Sequence, residues 1–410
     1  MTSTGSTRRS GQPGGPRRSD TAWRAGVVLG SVLGAAATVL GRRMERAARR
    51  GGLVDWPAVE RIAVERLRAA PGSLSGDELR AIGPVYAAAM ARVAPRLAAV
   101  LGTPLPGVVE RAEVVDRAGW VRANVRTFES LMSRIEGDLL KQVLPPGGGV
   151  ARSLMALANR AVTTRQLGYL LSFIGGRVLG QYDLALLSAE AREGRLLFVE
   201  ENIRTTAAAL GVPVGPFRTW IALHETTHAF EFEGHPWLRP YLAERLERSL
   251  ELFSRDASSL GRDAIRALGR TLRGEAGGEH WLERLMSDEQ RRLFGETQAL
   301  MSVLEGFSDY IMDAAGAELV PDVAQISARF HERRERRTGV ERAILRLTGM
   351  DLKLEQYKRG ERFVRAIADA RGQAALARLW DGPASVPSPA EIADPARWMS
   401  RVLDADRTAG

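Results

Sequence analysis

The 410-residue chain has no cysteine, so disulfides, thiol nucleophiles and thiolate metal sites are all excluded. Any metal has to be held by His, Asp or Glu. Histidine is scarce too, at five residues: His224, His228, His235, His280 and His331. Acidic residues are almost missing from the first fifty positions, where Asp20 and Glu45 alone oppose a crowd of arginines. The net charge of +9 is therefore largely an N-terminal feature. Zinc-finger spacing and other nucleic-acid motifs are lacking, so no nucleic-acid partner is expected. A basic arm of this kind suits an anionic membrane surface. Strand–helix alternation and internal repeats are also missing, which argues against a doubly wound sheet.

What is present divides the chain. Residues 1–21 are Gly, Pro, Ser, Thr and Arg with almost no apolar content, a composition expected to be disordered. Residues 22–51 hold the uncharged run "AGVVLGSVLGAAATVLG", Ala25–Gly41, between arginines. As a helix its seventeen residues rise about 25 Å, just under a hydrocarbon core of about 30 Å. Gly26, Gly30 and Gly34 repeat at the spacing that lets membrane helices touch. A membrane-associated helix and a Gly/Ala-rich helix packed on the protein's own core are the two readings. No cleavage site follows the run, and the expected location is cytoplasmic, with membrane association through residues 25–41 as the variant. Residues 52–149 read as a helical domain, opened by Asp55 as N-cap and Pro57 in the first turn. The break "LPPGGG", Leu144–Gly149, separates it from a main body over 150–405. There, "YDLALLSA" and "GRLLFVEENI" are expected as two short strands around Gly194, and the rest as helix. The fold class expected is mainly α, with a small hairpin or short sheet.

The stretch "WIALHETTHAFEFEG", Trp220–Gly234, carries the chemistry. Residues four apart on a helix share a face, so His224 and His228 can aim both imidazoles at one zinc ion. Glu225 lies beside that point, where it can take a proton from a water activated by the metal. Pro216 and Gly234 are placed to start and end the helix. A catalytic zinc needs a third protein ligand. The best candidate lies in "SDEQRRLFGETQALMSVLEGFSDYIMD", a helix opened by a capping box of Ser287 and Gln290. Leu293, Leu300, Met301, Leu304 and Ile311 form its buried stripe, and Glu305 falls within it. Asp309 follows one turn later, as an acceptor for a ligand histidine. His280 and His331 are weaker ligand candidates, and Glu231 and Glu233 read as helix-end surface charges. Tyr310 and His331 are candidate oxyanion donors. The strand "LLFVEENI" can receive an extended peptide by strand pairing, with Glu200 and Glu201 biasing the cleft.

Taken together, "DRAGWVRANV", "VLGQYDLALL", "HETTHAFEFEGHPWLRPYL", "LMSVLEGFSDYIMD", "GMDLKLEQYKRGERFV" and "IADPARWMSRVL" resemble the actinobacterial zincin-like metallopeptidases, type 2. The HExxH…ExxxD order is that of the gluzincins, and some members are tied to biosynthesis of the deazaflavin coenzyme F-420. The likeness runs from about Val54 to Leu403. It implies a mostly helical zincin-like fold, zinc on His224, His228 and Glu305, and Glu225 as general base. A peptide or protein substrate follows from that chemistry. The alternative is a non-catalytic zincin-like scaffold, either membrane-linked or associated with coenzyme F-420. The oligomeric state is not legible.

Overall fold

The computed structural model describes residues 52–104, 107–143, 150–182, 194–252, 286–335 and 352–404. The basic arm, the run Ala25–Gly41, the "LPPGGG" break and His280 lie outside them. Among the described residues no helix is long and apolar enough to cross a membrane.

Helices dominate. They are α1 (Trp56–Arg68), α2 (Gly76–Leu101), α3 (Arg117–Val143), α4 (Val150–Gly175), α5 (Glu200–Leu210) and α6 (Val214–Gly234). Residues 238–252 form α7, followed by α8 (Asp288–Leu319), α9 (Val323–Glu335) and α10 (Leu352–Arg371). Short helical turns complete the chain to residue 404. Local chemistry sets several starts. The Asp55 side chain accepts from the Ala58 N–H at 3.1 Å, with proline in the first turn of α1. Ser287 and Gln290 cap α8 reciprocally, as its sequence predicts.

Three strands form one sheet in the order β1–β3–β2: Ala112–Val115, Leu196–Val199 and Gly180–Tyr182. β3 is central, parallel to β1 and antiparallel to β2. All four of its residues are buried, as expected for a short apolar strand covered on both faces. Its side chains alternate between two cores. Leu196 and Phe198 join the larger core, built on α2 and α5–α10. Leu197 and Val199 join the smaller core, built on α1, α3 and α4. Tyr86, Met90, Val93 and Leu97 of α2 lie in the larger core, so packing crosses the boundary placed at Leu144–Gly149.

The sheet corrects three local expectations. β1 has no counterpart in the sequence reading; four residues of mixed burial between helices give little periodicity. β2 begins at Gly180, earlier than "YDLALLSA", whose residues 183–189 lie outside the described part. β3 stops at Val199, and Glu200 and Glu201 open α5 instead of extending the strand. Neither acid lines a cleft, because both are buried. Glu200 accepts from Tyr86 Oη at 2.9 Å and from the Arg218 guanidinium at 3.1 Å. Glu201 accepts the backbone N–H of Leu74 at 2.7 Å and of Arg117 at 3.0 Å. Acids in a first helical turn are favoured by the helix dipole, and here their charge is also satisfied by partners from distant segments.

The candidate metal centre

α6 runs through the larger core and is buried on nearly every side, its polar residues included. Thr226 and Thr227 interrupt good helix formers, but their hydroxyls donate to the Ala222 and Leu223 carbonyls at 2.6 and 2.9 Å. That satisfies two buried hydroxyls without leaving the helix. One turn of α6 places His224 and His228 side by side, with their Nε2 atoms 3.2 Å apart.

α8 crosses above and delivers Glu305, whose Oε2 lies 3.8 Å from each Nε2. All three side chains are 15% exposed, enough for a small molecule to reach them. α8 also packs closely against α10. Gly306 meets Gly360 of α10 backbone to backbone, and a Cβ on either would overlap the other helix.

The three atoms form a triangle whose centre is about 2.1 Å from each corner, the distance of a zinc–nitrogen or zinc–oxygen bond. A tetrahedral ion at that distance separates its ligands by about 3.4 Å, within the 3.2 to 3.8 Å observed. The two imidazoles and one carboxylate, with no thiolate, suit zinc. Charge points the same way. Glu225, Glu231 and Glu305 bring three carboxylates to two imidazoles, and Glu231 Oε1 is buried with no hydrogen-bond partner among the described residues. A dication offsets such a set; an empty site leaves its anions under-compensated.

Glu225 lies on the side of the triangle that faces β2. Gly180 is pressed against it, such that a Cβ there would lie 2.6 Å from Glu225 Cγ. The Tyr182 N–H donates to Glu225 Oε2 at 3.2 Å. Burial pushes the Glu225 carboxyl up to about 7, against the pull of His228 and the Tyr182 N–H. Burial also carries Glu231 up to about 7. For His228 burial acts downward, but the charge and hydrogen bond of Glu231, with Glu305 and Glu225 adding, override it and raise the imidazole to about 10. Gln181, between Gly180 and Tyr182, accepts from Trp120 Nε1 at 2.6 Å and donates to Asn124 Oδ1 at 2.8 Å. Tyr182 Oη donates to Glu233 at 2.8 Å and accepts from Arg239. Arg111 donates to the same Glu233 carboxylate at 2.9 Å. Gln181 and Tyr182 thus anchor β2 beside Glu225.

Of the residues singled out in the sequence, His224, Glu225, His228 and Glu305 come together. Asp309 is half-buried one turn beyond Glu305. The carboxylate at His228 Nδ1 is Glu231, at 2.8 Å, while His224 Nδ1 lies 3.2 Å from Met312 Sδ. Glu231 is fully buried, which corrects its reading as a surface charge. A usable signal existed: an acid three residues after a ligand histidine, between Phe230 and Phe232, sits where a helix has no polar face. His331 lies 3.4 Å from Ser327 on its own helix, and Tyr310 packs, partly buried, against the larger core.

A crystal structure titled as a "putative hydrolase with a novel fold", from Chloroflexus aurantiacus, is similar at 35% identity and a TM-score of 0.63. The match covers 86% of this chain and 99% of that one. No curated protein matches. The family described as zincin-like metallopeptidase matches residues 54–399. With most of its length matched, this chain belongs to the zincin-like metallopeptidase family.

Proposed function

We propose that the protein is a zinc-dependent peptidase, with zinc on His224, His228 and Glu305 and with Glu225 as general base. One observation carries the reading: a single point lies within bonding distance of all three ligand atoms, about 2.1 Å from each, with a buried carboxylate beside it. A zinc ion there would supply Lewis acidity, polarising a scissile carbonyl and making water easier to deprotonate. Glu225 then takes the proton from the attacking water and returns it to the leaving amine. Tyr182 N–H fixes one oxygen of that carboxylate, leaving the other to receive the proton.

In this reading β3 does not receive an extended peptide by strand pairing, because its two edges are occupied by β1 and β2. The antiparallel ladder pairs Leu179 and Gln181 with β3, so the peptide groups of Gly180 and Tyr182 point away from it, toward Glu225. A peptide or protein substrate, and contact with an anionic membrane through residues 1–50, belong to the same proposal. The coenzyme F-420 association rests on the sequence resemblance alone.

Glu225→Gln keeps every metal ligand and removes the base. It should bind zinc as the wild type does and cleave a peptide library about 10²–10⁴-fold more slowly. Cleavage at the wild-type rate by a zinc-loaded Glu225→Gln protein would remove the mechanism.

A further inference from the structure

We infer that Glu231 is the positioning residue for the metal: it holds the proton of His228 on Nδ1, so that Nε2 faces the ligand triangle as a lone-pair donor. The inference rests on the zinc reading above and adds a residue to it.

The geometry is local. Glu231 lies three residues after His228 on α6, so the two side chains stack along one helix face. Glu231 Oε2 is 2.8 Å from His228 Nδ1, within charge-assisted hydrogen-bond range. The opposite ring nitrogen, Nε2, is the atom that meets His224 Nε2 at 3.2 Å and Glu305 Oε2 at 3.8 Å. A neutral imidazole carries one proton. With a metal displacing the proton of Nε2, the one remaining proton sits on Nδ1, where the carboxylate accepts it.

Burial separates this role from ordinary packing. Glu231 is fully buried, and its second oxygen has no hydrogen-bond partner among the described residues. A glutamate kept only for packing is a poor choice in such a place, since leucine or methionine fills similar volume without an orphaned carboxylate oxygen. The cost is met when the imidazole it touches carries positive charge, which a bound dication shares through the ring.

The test uses the full chain and zinc alone, titrated against a chromophoric chelator. Wild type is expected to bind one zinc ion, and Glu231→Gln to bind it about 10–100-fold more weakly. Glu231→Leu should be weakened at least as much while its metal-free melting temperature holds or rises, a combination that a merely structural role does not give. Zinc affinity of Glu231→Gln within twofold of wild type overturns the inference while leaving the zinc site intact. A wild type that takes up no zinc overturns the underlying reading instead. A measurement on unmutated protein guards against misfolded variants. In long-range proton–nitrogen spectra of zinc-loaded, histidine-labelled protein, five rings are to be assigned. His228 is expected with its proton on Nδ1 and its metal on Nε2. The reverse pattern contradicts the inference.

Discussion

At the scale of single residues, the site is set by what burial does to a few charges. His224, Glu225 and His228 were legible because their spacing has a mechanical meaning on a helix. Glu231 was not, because sequence spacing does not say which face of a helix is covered. It sits near the helix C-terminus, where acids are usually solvated, and only the packing of α6 through the core seals it in. His235 shows the same effect with a testable sign. Its ring stacks on Trp380 at 4.9 Å, and burial lowers its pKa below the usual value for histidine. As pH falls through the ordinary histidine range near 6.5, the unfolded chain takes up this proton first. The stability that neutral His235 contributes is therefore present above that range and lost as pH falls through it. Replacing His235 with Gln should flatten the slope of urea-measured stability between about pH 7 and pH 5 relative to wild type. An unchanged slope would mean that the ring is not protected.

At the scale of elements, three pieces assemble the candidate site: α6 carries His224, Glu225 and His228, α8 carries Glu305, and β2 lies against Glu225. Both helices were readable, since capping boxes, prolines and apolar stripes are local signals. The sheet was less so. β3 announced itself as "LLFV", but its end at Val199 depended on Glu200 and Glu201 finding Arg218, Tyr86 and the Arg117 and Leu74 amides far away in sequence. β2 is three residues long, too short for periodicity to register. The crossing of α8 and α10 was equally hidden, because a glycine inside a helix reads as a weakness until its neighbour is known. Gly306→Ala tests that crossing. The added methyl overlaps Gly360 and must push α8 away, costing roughly 1–3 kcal/mol or more and moving Glu305 with it. Lower stability in urea together with weaker zinc binding is expected. An alanine variant with wild-type zinc affinity would separate the crossing from the site.

At the scale of the whole molecule, a three-stranded sheet stands between two helical cores, and the metal site belongs to the larger one. The basic arm and apolar run before residue 52 lie outside the matched span 54–399. This division predicts that a chain without residues 1–51 binds zinc like the full chain but no longer sediments with anionic vesicles. Equal sedimentation of the two forms would remove the membrane role.

The central claim is that His224, His228 and Glu305 hold one zinc ion, and anomalous diffraction at the zinc edge tests it most directly. A single peak about 2.0–2.1 Å from His224 Nε2, His228 Nε2 and a Glu305 oxygen is the result expected for the zinc-soaked protein. A peak on other ligands, or none at these three in zinc-soaked crystals, would contradict the account.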